Sequence, residues 1–174
     1  MFPFKSKSTG AYIRDAVFAA NDGIITTFAV IAGAQGAELT AAVVIIMGFA
    51  NLVADGFSMA SGNYLGIKSE QEYDKAHKIY LKNDIHILFH PLITFIAFVT
   101  AGLIPLIPYL VLKNNAFEAS IVTVIFTLFS IGLIRAHVSK KQYIKDGLQS
   151  LLIGGVAAVV AYGIGWWIET YIIK

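Results

Sequence analysis

The sequence predicts an all-α integral membrane protein of five transmembrane helices, and three observations lead there. Of its 174 residues 57% are hydrophobic and only 14% charged, with a mean hydropathy of +0.70, whereas soluble domains carry about a quarter charged residues. The apolar residues gather into five stretches long enough for a bilayer core about 30 Å thick, which takes about 20 residues of helix. The strand-type alternation that a membrane barrel needs is missing, so the backbone bonds must close within each segment. This balance excludes an ordinary cytosolic enzyme and a disordered chain, and makes the lipid bilayer the main solvent. A net charge of +2 supplies no basic field for nucleic acid, so neither DNA nor RNA is an expected partner. The absence of cysteine removes disulfides, thiolate metal sites and cysteine nucleophiles. Oxygen, imidazole and thioether remain as metal ligands.

The spans fall near residues 16–36, 40–67, 87–112, 117–137 and 148–173. A basic stretch with Lys5 and Lys7 precedes the first, as in a signal peptide, but this span is full length and carries Asn21 and Asp22, so it is expected to be retained. The second meets no proline and is expected to continue as helix into the hydrophilic link GIKSEQEYDKAHKIYLKND, residues 66–84. The third opens around Pro91, and Pro105 and Pro108 predict a kink or early end. The fifth is rich in glycine (Gly154, Gly155, Gly163, Gly165), read as close packing, and ends on Trp166, Trp167 and Tyr171, an aromatic belt. Tyr109, ending the third span, is expected on the same side. The link is too short for a separate domain, so 1–174 reads as a single membrane domain with a short cytoplasmic link at 68–86. No repeat is visible, and an odd number of spans forbids two equal halves. A symmetric pathway would need a second copy of the chain.

Orientation follows from the basic residues. Lys5, Lys7 and Arg14 precede the first span, Lys68, Lys75, Lys78 and Lys82 follow the second, and Arg135, Lys140, Lys141 and Lys145 follow the fourth, leaving only Lys113 and Lys174 of the 13 for the other side. The positive-inside rule then puts the N-terminus in the cytoplasm and the C-terminus outside or in a lumen.

The informative residues are acids inside the spans. A central Asp costs about 2.5 to 3.5 kcal/mol to insert, so Asp22 and Asp55 together cost about 5 to 7 kcal/mol, comparable to the stability of a whole domain. No basic residue lies deep in any span to offset them. The acids are therefore protonated, face water, or hold a cation. On the second helix Asn51, Asp55 and Met59 recur every four residues, with Met47 before and Asn63 after, so amide, carboxylate and thioether share a face. Beside them Ala50, Ala54, Ser58, Gly62 and Gly66 form a small-residue seam that lets another helix approach closely. A carboxylate with a thioether suits Fe²⁺ or Mn²⁺ better than Mg²⁺ or Ca²⁺, which prefer oxygen alone. Met59 as core filler and Asn51 as a helix–helix hydrogen bond are the plainer readings. For an intramembrane carboxylate without a basic partner, function is the default.

His86 and His90, four apart before Pro91, have the spacing at which two imidazoles bind one metal, although interfacial histidines more often bond to neighbours. Glu70, Glu72, Asp74 and His77 on the link could draw ions to an entrance, and a solvated charged face is the alternative.

The segments NDGIITTFAVIAGAQGA, residues 21–37, and NLVADGFSMASGNYLGIKSE, residues 51–70, resemble the two signature helices of the vacuolar iron transporter family, which includes iron/manganese carriers and nodulin-like members. The resemblance implies a homodimer that exports Fe²⁺ or Mn²⁺ from the cytosol in exchange for protons, along the dimer contact. It implies that Asp22 is the first-helix carboxylate for metal or proton and Met59 the second-helix thioether. Two departures stand out. Vacuolar members carry a glutamate eight residues before that methionine, where this chain has Asn51 and places its acid one turn later at Asp55. They also insert a long acidic helical domain between spans two and three, where this chain has only the link, which makes it a short form.

The sequence thus leads to a metal site of Asp22, Asp55, Met59 and Asn51, proton coupling through Asp22 and Asp55, and an entrance that includes Glu70, Glu72, Asp74, His77, His86 and His90. The metal is cargo, and no cofactor is expected. The expected setting is a cell inner membrane in a bacterium or archaeon, or a vacuolar-type membrane in a eukaryote. Alternatives are a non-transporting assembly protein with a structural polar seam, or a passive cation channel. An enzyme is not expected, because no HExxH, GxSxG or Cys/His nucleophile arrangement is present.

Overall fold

The computed structural model describes residues 7–78, 87–139 and 142–174. In chain order it contains α1 (Lys7–Gly36), α2 (Ala41–Ala76), α3 (Phe89–Leu103), a 3-10 turn (Ile104–Leu106), α4 (Ile107–Val111), α5 (Ala116–Ser139), α6 (Tyr143–Ile168) and a final π-type turn (Glu169–Ile173), with no strand among the described residues. Five segments are long and apolar enough to cross a membrane: Gly10–Gly36, Ala41–Ala76, Phe89–Val111, Ala116–His137 and Tyr143–Ile173. The chain is a multi-pass integral membrane protein.

Local chemistry explains the boundaries. α1 starts well before the apolar stretch because Arg14 and Asp15 pair with each other at 2.9 Å and so can stay inside the helix. Its end is a tight turn in which the Leu39 amide donates to the Ala34 carbonyl at 2.9 Å and Glu38 takes the left-handed conformation, φ 54°. α2 continues through the link to Ala76, as its unbroken helical composition predicts, and Lys78 then turns left-handed at φ 54°. The third span breaks where expected. Pro105 and Pro108 lack the N–H that would reach the preceding turn, and shorter bonds from the Ile104 and Ile107 amides to the Ala101 and Ile104 carbonyls take over. The Ser120 hydroxyl donates to the Pro105 carbonyl at 2.8 Å, fastening the break to α5.

α1 packs against all four other spans and buries Ala19, Ile24, Phe28, Ile31 and Ala34. Lipid tails are as apolar as these side chains, so association rests on close van der Waals fit. Glycines supply it: Gly23 has no room for a methyl against the Phe98 backbone of α3, nor has Gly165 of α6 against Gly33 of α1. α2 turns Val44, Gly48, Leu52 and Gly56 inward, toward Leu106 and Phe98.

This rotation also sets where the small-residue seam of α2 faces. Ala50, Ala54, Ser58, Gly62 and Gly66 lie on the outward side of α2, with open space beside Gly62 and Gly66, so their close helix contact is not made within the chain. The glycines of α6 divide too, with Gly154 against Leu128 and Gly165 against α1, while Gly155 and Gly163 face open space. Trp166, Trp167 and Tyr171 are half exposed or more, as a belt requires. Tyr109 is not part of it. The proline break turns this ring inward, where it is only 8% exposed and its hydroxyl lies 3.5 Å from Gln35 Oε1.

Gly165→Val should therefore destabilise the protein by about 1–3 kcal/mol through forced separation of α1 and α6, while Gly155→Ala should be neutral or stabilising by up to about 1 kcal/mol. Thermal melts of the two variants in detergent check this contrast, and equal melting temperatures would contradict the packing.

Candidate metal pathway

Asp22 and Asp55 are both half-buried, one on α1 and one on α2, and each lies within reach of the other's charge. None of the ion pairs among the described residues includes either of them. With Gly23 set against α3, Asp22 lies about 100° away around the helix. Met59, one turn from Asp55, is partly buried against the core. Asn51, one turn to the other side, is half-buried, and its Nδ2 has no hydrogen-bond partner. That atom is a donor, so a cation would use Asn51 Oδ1 instead. Two more buried oxygens without a partner, Asn21 Oδ1 and Thr27 Oγ1, belong to the same stretch of α1.

No three His, Asp or Glu side chains converge to hold a metal among the described residues. Within one chain, Asp22 and Asp55 would need Met59, amide or hydroxyl oxygens, or groups from a second copy to complete a shell. Carboxylate, amide oxygen and thioether together are chemically suited to a borderline first-row divalent ion.

Toward the α1 N-terminal end the polar stripe continues beside a cavity of about 570 Å³. Glu70, Asn63 and Met59 of α2, Asp15 and Arg14 of α1 and Thr94 of α3 are among its walls. From Glu70 to Met59 it follows α2 for about 16 Å, ending one turn short of Asp55. Glu70 is thus the link acid that lines this cavity. Glu72 lies 4.0 Å from Lys68 on the exposed surface, Asp74 does not line the cavity, and His77 stacks on Tyr73 and bonds to its carbonyl at the end of α2. His86 lies outside the described residues.

His90 is buried. Its Nδ1 lies 2.6 Å from Asp15 Oδ2, both side chains are at most 5% exposed, and Tyr12 stacks on the imidazole. Asp15 Oδ1 accepts from Arg14 Nε and Nη2 at 3.0 and 2.9 Å. Thr94 Oγ1 donates to the His90 carbonyl and accepts from Asn63 Nδ2, both at 2.9 Å, tying α2 to α3. Sequence reasoning passed over Asp15. The available signal was its position two helical turns before Asp22, on the same side of α1.

The family model described as the VIT family matches residues 13–86 and 86–166. Vacuolar iron transporter 1 of Arabidopsis thaliana is 24% identical over 216 residues, covering 91% of this chain and 86% of that protein. Vacuolar iron transporter homolog 3 of the same plant is 27% identical over 169 residues, covering 92% and 84%. The vacuolar iron transporter of Toxoplasma gondii is 37% identical over 73 residues, 42% of this chain and 24% of that protein. The alignment with the first relative is longer than the 174-residue chain itself, so that relative carries segments this chain lacks.

Replacing His90 with Ala should lower stability by about 1–3 kcal/mol, because a buried carboxylate oxygen of Asp15 loses its partner. Thermal unfolding in detergent measures it, and an unchanged melting temperature would argue against the buried pair.

Proposed function

Because the chain belongs to the VIT family, we propose that it carries Fe²⁺ or Mn²⁺ out of the cytosol across its membrane in exchange for protons. One observation supports this reading above the others: two half-buried membrane carboxylates, Asp22 and Asp55, neither in an ion pair among the described residues. Their repulsion is relieved by a divalent cation or by protons, and the two kinds of occupant exclude each other. The relatives named vacuolar iron transporters make iron the first cargo to test.

The ion enters beside Glu70, passes Asn63 and Thr94, and reaches Met59 at the inner end of the cavity. Asp22 and Asp55 take it up with Asn51 Oδ1 and the Met59 thioether, releasing protons to the cytosol. Protonation from the opposite side frees it. Asp15 is already shared between Arg14 and His90 and holds the entrance wall together. With Asn51 in place of the family's glutamate, Asp55 takes over the second-helix proton. The outward seam of Ala54, Ser58 and Gly62 is the surface for a second copy, which would bring an equivalent stripe alongside. This arrangement supports a homodimer with the pathway at its contact.

Proteoliposomes loaded with Fe²⁺ or Mn²⁺ transport assays test the reading directly. Uptake should follow an imposed pH gradient, and Asp22→Asn or Asp55→Asn should cut the rate at least about tenfold through loss of a charged ligand. Wild-type rates in both variants would leave the polar stripe a purely structural role. Metal binding should also weaken as pH falls between about 7 and 5, since a carboxylate must lose its proton to ligate. Isothermal titration at several pH values follows this, and pH-independent affinity would exclude exchange.

A further inference from the structure

We propose that a second cavity, between α1, α5 and α6 at the end where α1 begins, binds a phosphate ester, and that its natural ligand is an anionic phospholipid headgroup. The cavity measures about 380 Å³, and Arg14, Phe18 and Asn21 of α1, Ile131 and Arg135 of α5 and Ser150 of α6 are among its walls. It shares Arg14 and Phe18 with the cavity on the α2 and α3 side of α1 and extends from them toward α5 and α6. Arg14, Phe18 and Asn21 follow one another at helical spacing, so α1 carries a basic and amide stripe next to its acidic one.

Two guanidinium groups from separate helices converge on this cavity, and no acidic residue lines it. Their neutralising partners lie beyond its wall. Arg14 bonds to Asp15 Oδ1 through Nε and Nη2, and that carboxylate is shared with His90. Arg135 Nη2 donates to Gln149 Oε1 at 3.0 Å and the Asp146 carbonyl at 3.5 Å, with Asp146 Oδ1 3.7 Å away. Each guanidinium has five N–H donors, so both keep donors for another acceptor. A phosphoryl group, with several oxygens and a negative charge, matches such a pair better than a carboxylate or a neutral ligand.

The rest of the wall favours a lipid over free phosphate. Phe18, 64% exposed, and Ile131 give the cavity an apolar side. Nearby Ile134, Leu148 and Leu152 are 55%, 56% and 68% exposed, a surface along which acyl chains can lie. Asn21 adds a polar amide to the wall beside the two guanidinium groups. Basic pockets between membrane helices are a recurrent means of holding anionic lipids. This inference is independent of the cargo reading.

The purified full chain in neutral detergent should bind phosphatidylglycerol, seen as lipid adducts in native mass spectrometry and a raised melting temperature, with little response to phosphatidylcholine. Arg135→Gln should weaken the phosphatidylglycerol affinity about tenfold, whereas Lys145→Gln, which removes an equal charge outside the cavity, should not. Arg14→Gln should act like Arg135→Gln but also strips a partner from Asp15, so Arg135 carries the test. Inorganic phosphate is the separate arm. A shift with phosphate as large as with lipid, lost in Arg135→Gln, supports the oxyanion site with free phosphate as its occupant. Equal responses to the two lipids, or equal losses in Arg135→Gln and Lys145→Gln, overturn the proposal.

Discussion

Backbone contact between α1 and its neighbours α3 and α6 is the constraint on which the rest of the bundle depends. In lipid there is no gain from hiding apolar side chains from water, so helices hold together where their surfaces fit closely. Gly23 against Phe98 and Gly165 against Gly33 bring the chains near enough for that fit. The same contacts fix how α1 is rotated. Because Asp22 precedes Gly23, locking the glycine onto α3 aims the acid at α2, and it aims Arg14 and Asn21 toward α5 and α6. One packing choice therefore sets the direction of both polar stripes of α1.

The acids of α1 differ in how they are neutralised. Asp15 has both oxygens bonded, to Arg14 and His90, under cover of Tyr12. Removing a partner from such a buried group is costly, so it serves as a fixed part of the wall. Asp22 has no ion pair among the described residues. Nothing permanent in the described residues offsets that charge, which is the condition under which a mobile cation or proton can matter. The cavity from Glu70 to Met59 takes its polar walls from three helices brought together by packing.

Much of the site could be read along the chain because its residues share single helices. Asn51, Asp55 and Met59 are one face of α2 by spacing alone, and Asp22 stands out as an acid in an apolar run. Asp15 did not stand out, since beside Arg14 and close to the basic N-terminus it looks like part of a solvated end. Its meaning comes from His90, 75 residues later, and no local pattern links the two. His90 likewise reads as a half of a metal-binding spacing with His86, and the spacing says nothing of the Asp15 carboxylate that its Nδ1 meets. The small-residue seam of α2 shows the converse, a local pattern with no partner in its own chain.

Composition and hydrophobic length determined by themselves that this is a five-helix membrane protein, because a bilayer allows few ways to close backbone hydrogen bonds and each requires a long apolar run. The proline break in the third span and the helical extension of the second were equally local, since both depend on the N–H groups and propensities of neighbouring residues. Only the tertiary structure decided which side of each helix faces inward. Along an apolar helix surrounded by lipid and by other apolar helices, every face has a similar transfer energy, so rotation is set by shape: by where a missing side chain lets two backbones touch. That is why Asp15 finds His90, and why two arginines from distant parts of the chain line a common cavity.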